Sequence, residues 1–186
     1  MGQVLGDAVL RGLATDGEAL RRICVIGRAG SGKTTAALAL GKALGIPVVH
    51  LDQLYWGGDW RPVSDRSFHA AHAAAISKEA WILDGGYVST PSFAERVERA
   101  ELVVITEASL VRCLSRVLWR TIAYRGRPRR DRPDGANEAF SLAFLFWILR
   151  WTRMHPDLPA EIAAIDPGKP IAIVRSVADL RRVVAA

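Results

Sequence analysis

The residues best suited to chemistry in this sequence form one glycine-rich segment. Gly27-Arg28-Ala29-Gly30-Ser31-Gly32-Lys33-Thr34 matches the pattern G-x-x-x-x-G-K-[ST], and it lies between a short apolar run and a helical pattern. In such a loop the backbone N–H groups and the dipole of the following helix attract phosphate oxygens. We therefore predict a nucleoside triphosphate site, and the expected contacts are Gly27, Arg28, Ala29, Gly30, Ser31, Gly32, Lys33, Thr34 and Thr35.

Three side chains have specific expected roles around the triphosphate. Lys33 would bridge the β- and γ-phosphates, and the hydroxyl of Thr34 would ligate Mg²⁺. Asp84 follows the apolar run Trp81–Leu83, and ligands of open α/β sheets collect at the carboxyl ends of such strands. We expect Thr34 and Asp84 to hold the metal, because Mg²⁺ prefers oxygen ligands and keeps several of its water molecules.

A second carboxylate, that of Asp52, comes two residues after the short apolar run that ends at His50. From a neighbouring strand end it could face an acceptor, whose attacking hydroxyl it would orient or deprotonate. Asp52 or Asp84 alone could also be a helix cap or a turn former. The pair beside a phosphate loop favours a phosphotransferase.

Aromatic residues follow Asp52 in what reads as a glycine-rich loop. Tyr55, Trp56 and Trp60 could stack on a planar acceptor there, or they could plug the core. The aromatic run from Phe140 to Trp151 is more typical of core or lid support. The four histidines do not have the spacing of a metal site.

The positive charge of the chain is concentrated in one segment. The net charge is +6 over 186 residues, yet residues 112–132 contain eight Arg and one Asp, while the rest of the chain is close to neutral. Arg112, Arg116 and Arg120 are spaced to share one helix face, opposite apolar residues expected to pack on the sheet. This segment predicts a local anionic partner, although a solvated basic face and a nucleic-acid-binding surface remain alternatives.

Other features of the sequence exclude two classes of phosphate-loop protein. A GTP switch reads guanine with an Asn-Lys-x-Asp loop, whereas the only Asn here, Asn137, is followed by Glu138. Motor ATPases generally need a longer chain around the nucleotide. A small-molecule kinase is the class that remains.

The elements that must position these residues alternate between short strands and longer helices, which predicts a parallel sheet flanked by helices. The strands are expected at Arg22–Ile26, Pro47–His50, Trp81–Leu83, Leu102–Ile105 and Ile171–Val174. The helices are expected at Thr34–Leu44, Ser64–Ser77, 92–99, Ser109–Tyr124, Ala136–Met154 and Val177–Val184, with Pro156 and Pro159 interrupting the pattern after Met154. Residues 1–20 read as an N-terminal helical extension, and 21–186 as a single domain.

Cellular location is indicated only by what the sequence lacks. The two cysteines, Cys24 and Cys113, are too few for a disulfide framework and suggest a reducing compartment. We see no export signal, and no apolar run reaches the roughly 20 residues that span a bilayer. We therefore expect a cytoplasmic protein.

These motifs resemble the adenylate-kinase-related P-loop kinases. The resemblance is closest to the small topology modulation proteins, on the strength of His50-Leu51-Asp52, Tyr55-Trp56, Trp81 to Tyr87, Tyr124 to Arg127 and the helix from Phe144 to Trp151. Two departures are Gly86, where those relatives have Asn, and Glu107, where they more often have Asp.

The resemblance implies a three-layer α/β fold with a five-stranded parallel sheet in the order 2-3-1-4-5 and an arginine-rich lid at about residues 125–135. It also implies that Arg116 and Arg120 contact the adenine and phosphates of ATP, and that Arg127 and Arg130 close over the transferring phosphoryl group.

Residues and resemblance together predict an ATP- and Mg²⁺-dependent phosphotransferase of the nucleoside- or nucleotide-kinase type, acting on a small planar acceptor. The expected catalytic residues are Lys33, Asp52, Arg116, Arg120, Arg127 and Arg130. The alternative is an ATP-binding, DNA-associated protein that places its arginine-rich segment on nucleic acid.

Overall fold

A computed structural model of the protein describes residues 20–57, 61–123, 142–176 and 178–180. The predicted lid, with Arg127 and Arg130, lies outside these residues, as do Trp60 and Tyr124. The proposed N-terminal extension lies outside them except for Leu20, and so does most of the predicted last helix, in which residues 178–180 are helical. The division into an extension and one domain therefore stays a prediction.

The centre of the molecule is a five-stranded sheet in which every neighbouring pair is parallel. The strands are β1 (Arg22–Gly27), β2 (Val48–His50), β3 (Trp81–Asp84), β4 (Leu102–Thr106) and β5 (Ile171–Val174). Their spatial order is β2-β3-β1-β4-β5. The predicted strands and the predicted order are confirmed.

Seven helices surround the sheet in the described part of the chain. They are α1 (Lys33–Leu44), α2 (Leu51–Tyr55), α3 (Asp65–Ile76), α4 (Ser92–Arg99), α5 (Leu110–Ala123), α6 (Leu142–Met154) and α7 (Leu158–Ile165). Local signals explain several ends. Gly45 ends α1 with a left-handed φ of 70°, and the side chain of Ser64 accepts a hydrogen bond from the backbone N–H of Ser67 at the start of α3.

Two of these helices differ from the sequence prediction. Residues 51–55, expected as a loop, form the single helical turn α2 directly after β2. The segment containing Pro159 forms α7, because proline is tolerated in the first turn of a helix, where its missing N–H has no partner to lose. The side chain of Asp157 caps α7 by accepting a hydrogen bond from the N–H of Ala160 at 3.0 Å.

The strands bury side chains on both faces, which is why they read as continuous apolar runs. Along β1, Cys24 and Ile26 pack into one core cluster, whereas Ile23 and Val25 pack into the other. Trp81 belongs to the first cluster, with Phe93, Val97 and Trp151 among its other members. The three-layer arrangement places the carboxyl ends of all five strands at one edge of the sheet.

Helix α5 packs with only part of the face that we predicted, which included Val117. Cys113 and Val117 are buried, but Val111 and Ile122, expected on the packed face, are 77% and 70% exposed. The reason is the close contact of α5 with the phosphate loop, since a Cβ on Gly30 would lie only 2.4 Å from the carbonyl oxygen of Cys113. This docking brings Arg116 within hydrogen-bond distance of loop carbonyls and leaves Val111, Leu118 and Ile122 exposed.

Among the described residues, no helix is both long enough and apolar enough to span a membrane.

A buried histidine of α3, His72, makes the stability of the protein depend on pH. His72 is fully buried, neither ring nitrogen has a hydrogen-bond partner among the described residues, and the nearest Glu95 oxygen is 3.9 Å from Nδ1. Burial, reinforced by Arg96 and His69, lowers the pKa of His72 from 6.5 to about 4. Between those two pH values the unfolded chain binds a proton at His72 and the folded protein does not.

We therefore expect His72 to cost no stability above pH 6.5. As the pH decreases from 6.5 toward 4, the free energy of unfolding should fall because the unfolded chain gains a proton at His72. The contribution of His72 is on the order of 2–3 kcal/mol over that interval. Urea titrations of the wild type and His72→Leu at several pH values measure it. Equally steep losses of stability in both proteins would contradict this role for His72.

Candidate active site

The predicted phosphate loop is built as its sequence requires. Gly27, Gly30 and Gly32 have φ values of 144°, 81° and 108°, which other residues rarely adopt. The loop leaves β1 and enters α1, so its backbone N–H groups and the positive end of the helix dipole meet at one place. The geometry is that of an anion-binding loop.

Side chains of the loop point in different directions. Lys33, Thr34 and Thr35 line a cavity of about 950 Å³. The Ser31 hydroxyl lies 2.6 Å from that of Thr106 at the end of β4, and therefore contacts the sheet. Arg28 lines a second cavity of about 570 Å³. Arg28 and Ser31, both predicted as nucleotide contacts, are not among the described residues that line the large cavity.

Lys33 lies near charged side chains of both signs. Its ammonium group donates to the carbonyl oxygen of Arg28 at 3.1 Å. Burial lowers the pKa of Lys33, the Asp84 and Asp52 carboxylates raise it, and Arg120 lowers it further. A phosphate in the loop would favour the charged form, because it would place negative charge beside a poorly solvated ammonium group.

Asp84, at the end of β3, is buried at 6% exposure and is held by a histidine. Its Oδ2 lies 2.9 Å from Nδ1 of His50, which is its register partner on β2. Its buried Oδ1 has no hydrogen-bond partner among the described residues. A buried carboxylate oxygen without a donor, lining the same cavity as Thr34, fits the donor set of a magnesium ion.

The described residues contain no cluster of three or more His, Cys, Asp or Glu side chains able to hold a metal ion. A magnesium site here would therefore be completed by phosphate oxygens and water, which is how Mg²⁺ is usually held at phosphoryl-transfer sites.

The second carboxylate belongs to a hydrogen-bonded chain of side chains. Asp52, on α2, is exposed and accepts a hydrogen bond of 2.7 Å from the hydroxyl of Tyr87. That hydroxyl also interacts with the side chain of Trp56. Burial, together with the Asp52 carboxylate, raises the pKa of Tyr87, so the phenol stays protonated and remains a donor at neutral pH. The arrangement fixes one oxygen of Asp52 at the rim of the cavity.

Tyr87 has the one positive φ among the described non-glycine residues, at 40°. Its ring packs on Tyr55 and Phe68 at centroid distances of 4.9 and 5.5 Å. The carbonyl before it, that of Gly86, accepts a hydrogen bond from Arg96, a fully buried arginine of α4. A strained backbone held from several sides is typical of functional turns.

Sequence reasoning assigned no role to Tyr87 or Arg96, although the pair Gly85-Gly86 at a strand end was a signal that the turn is unusual. It also placed Tyr55 and Trp56 in an exposed loop, and that prediction is wrong. Tyr55 lies on α2 and Trp56 directly after it, both are half-buried, and their rings meet edge to face at 4.8 Å. These two aromatics support Tyr87 while still lining the cavity.

The arginines of α5 separate into two groups. Arg116 and Arg120 line the large cavity, and Arg116 donates to the carbonyl oxygens of Gly30 and Ser31 at 3.2 and 3.3 Å. Arg112 instead lines the second cavity. That cavity also contains Glu107, which forms a 2.8 Å ion pair with Arg175.

Removing the Tyr87 hydroxyl should destabilise the turn that carries it. Tyr87→Phe keeps the ring but loses the donor to Asp52, and we expect about 1 kcal/mol less stability because Asp52 is exposed and the hydrogen bond is screened. Thermal or urea unfolding measures the loss. A double-mutant cycle with Asp52→Ala isolates the pair, and a coupling energy of zero would contradict the hydrogen bond.

Comparison with known proteins finds similar structures. Shikimate kinase from Acinetobacter baumannii, in complex with shikimate, has a TM-score of 0.58 and 18% identity, covering 92% of each chain. A gluconokinase from Sinorhizobium meliloti 1021 has a TM-score of 0.53 and 18% identity, covering 90% of this chain and 91% of its own. Shikimate kinase from Bacteroides thetaiotaomicron has a TM-score of 0.50 and 16% identity, covering 90% of this chain and 95% of its own.

No protein-family model matches the sequence, and no curated protein matches it. At these identities the structural similarity shows the fold alone, which this chain shares with the shikimate kinase and the gluconokinase. The resemblance to topology modulation proteins stays a prediction.

Proposed function

We propose that this protein is an ATP- and Mg²⁺-dependent phosphotransferase that acts on a small hydroxyl-bearing acceptor. One observation carries the proposal: the phosphate loop and both strand-end carboxylates, Asp84 and Asp52, line the same cavity of about 950 Å³. Pockets of small-molecule sites range from roughly 300 to 1,000 Å³, so this one has the size for a nucleotide with an acceptor beside it.

The residues would divide the work of phosphoryl transfer between binding and proton handling. Lys33, Arg116 and Arg120 would bind and orient the triphosphate and stabilise charge on its oxygens. Thr34 and Asp84 would hold the metal ion, which when bound neutralises phosphate charge. Asp52 would orient the acceptor hydroxyl and receive its proton as the oxygen attacks. Arg127 and Arg130 are proposed to add positive charge over the transferring group.

The acceptor is proposed to be a small molecule of the kind that nucleoside and nucleotide kinases use. The aromatic side chains Tyr55, Trp56 and Tyr87 line the cavity beside Asp52, which supports a planar acceptor. The structurally similar proteins named for shikimate and gluconate show that this fold also occurs in kinases of hydroxylated acids.

The alternative, a protein that places its arginines on DNA, has less support. Nucleic-acid sites present their cations on an accessible surface. Arg116 and Arg120 line the cavity beside the phosphate loop, and Arg116 is held there by the carbonyl oxygens of Gly30 and Ser31, which suits a nucleotide better.

A phosphotransfer screen tests the proposal. Purified protein is incubated with γ-labelled ATP and Mg²⁺ together with nucleosides, nucleotides, hydroxylated acids and other small alcohols, and labelled products are separated from ATP. We expect at least one acceptor to be labelled, and chelation of Mg²⁺ to stop the labelling. Absence of transfer to every compound would contradict the proposal.

A further inference from the structure

A serine, a histidine and a glutamate from three separate parts of the chain meet at the wall of the large cavity. The Ser89 hydroxyl, in the turn after β3, lies 3.4 Å from Nε2 of His155, the residue directly after α6. The other ring nitrogen, Nδ1, lies 2.9 Å from one carboxylate oxygen of Glu161 on α7 and 3.2 Å from the second. Ser89 and His155 both line the cavity. The proposed function uses none of these three side chains.

The contact with Glu161 determines which ring nitrogen of His155 carries the proton. An ionised carboxylate only accepts hydrogen bonds, so Nδ1 of the neutral ring is the donor and Nε2 is the acceptor. Nε2 is the nitrogen that faces the Ser89 hydroxyl. A hydroxyl beside a base that a third group orients is the arrangement by which enzymes activate a nucleophile, and the hydrogen bond between nucleophile and base is often long before substrate binds.

The base is held firmly, whereas the hydroxyl is accessible. The side chain of His155 is only 8% exposed, and its ring lies 5.2 Å from that of Trp151, a buried residue of α6. The sequence predicted that this aromatic helix supports the core or the lid, and here Trp151 supports the histidine ring. Ser89 is exposed and faces the cavity that contains the phosphate loop.

The turn that carries Ser89 begins against the phosphate loop. A Cβ on Gly86 would lie 3.7 Å from the carbonyl oxygen of Gly27, the first residue of that loop. Ser89 comes three residues after Gly86, and three residues extend over at most about 11 Å. His155 and Gly27 also contribute together to the lining of both cavities. The serine and its base therefore lie near the loop at which a triphosphate would bind.

We propose that Ser89 is a self-phosphorylation site, to which the protein transfers the γ-phosphoryl group of its own bound ATP. This inference rests on the proposed phosphotransferase function, because it needs ATP in the same cavity. In the transfer step the Ser89 hydroxyl gives its proton to Nε2 of His155, and its oxygen bonds to the γ-phosphorus. The bond between that phosphorus and the β–γ bridging oxygen breaks, and ADP leaves with the electron pair. Glu161 stabilises the imidazolium that forms.

Labelling in the absence of an acceptor tests the site. The protein is incubated with γ-labelled ATP and Mg²⁺ alone, and the label is located by mass spectrometry of its peptides. We expect phosphate on Ser89, at a rate constant that does not depend on protein concentration, because the transfer occurs within one molecule. Ser89→Ala should lose this label. Ser115→Ala is the control and should keep it, because Ser115 is an exposed residue of α5 that lines neither cavity.

Variants of the other two residues test the role of the base. His155→Ala should slow the labelling of Ser89 by a factor of about 10² to 10⁴. Added imidazole should restore part of the rate, which a merely structural histidine would not allow. Glu161→Gln should slow it as well, because the amide N–H can donate to Nδ1 and so leave the ring proton on Nε2. Circular dichroism verifies that each variant is folded. Labelling at the wild-type rate in either folded variant would overturn the activation of Ser89.

The same experiment separates this inference from the proposed function. Transfer of label to a small acceptor in the phosphotransfer screen, with none on Ser89 when the acceptor is left out, would overturn self-phosphorylation and leave the phosphotransferase function standing. Absence of label from both the protein and every acceptor would overturn both.

Discussion

Replacing Lys33 by Ala is expected to abolish the stabilisation of the protein by Mg·ATP. A ligand present at about 100 times its Kd stabilises the folded state by about 2.7 kcal/mol. For a chain of this size that corresponds to a rise of roughly 5–10 °C in Tm. Lys33 lines the cavity beside Asp84 and Asp52, so its loss leaves those carboxylates facing the triphosphate without their compensating cation. Phosphotransfer should fall by a factor of about 10² to 10³.

A second lysine of the same helix provides the control. Lys42 lies in the last turn of α1, is exposed, and lies outside the cavity lining. Lys42→Ala should keep both the ATP-induced rise in Tm and the transfer rate. Differential scanning fluorimetry with and without Mg·ATP compares the two variants. An unchanged shift in Lys33→Ala would show that the loop is not the nucleotide site.

Replacing Asp52 by Asn should stop transfer while sparing ATP binding. The amide still offers an oxygen to the hydroxyl of Tyr87, so the packing of the turn is kept, but it cannot take up a proton. Loss of a general base costs a factor of about 10² to 10⁴ in rate. We therefore expect an unchanged rise in Tm with Mg·ATP and a kcat reduced by that factor.

Asp65→Asn is a suitable comparison for Asp52→Asn, because Asp65 is an exposed carboxylate in the first turn of α3 and lies outside the cavity lining. It should leave kcat unchanged. Single-turnover measurements with labelled ATP separate the transfer step from product release. Turnover in Asp52→Asn equal to that of the wild type would mean that another group receives the acceptor proton.

The two results together separate nucleotide binding from acceptor chemistry. Lys33 lies where α1 begins and Asp52 lies on α2, so the two substitutions affect different elements that line the same cavity. Loss of the ATP-induced stabilisation in one variant and its retention in the other would assign nucleotide binding to Lys33 and acceptor chemistry to Asp52.

Local patterns in the sequence were enough to predict the sheet and the phosphate loop. The strands of this sheet are buried on both faces, so each reads as a short apolar run, and glycines mark the loop that needs positive φ. Asp84 and Asp52 could be assigned to the site because both follow such runs. These features depend on neighbours in the chain, which a sequence displays directly.

The errors occurred where distant contacts decide the outcome. The exposure of apolar residues on α5 follows from the contact between Gly30 and Cys113, 83 positions apart in the numbering. Residues 51–55 contain no strong helix signal, and they become helical where Leu51 is buried against the turn at Gly85. Tertiary packing outweighs local propensity at both places.

The sequence by itself therefore determined that this chain has a phosphate loop, a parallel sheet and two carboxylates at strand ends. The tertiary structure alone decided which groups meet. It brings Tyr87 to Asp52 and His50 to Asp84, and it places the stacked rings of Phe144 and Trp147 in the lining of the cavity. The physical reason is the distance along the chain over which each signal acts. A loop or strand signal lies within a few residues, whereas the character of an acceptor pocket depends on side chains from three or four elements that only the folded chain brings within contact distance.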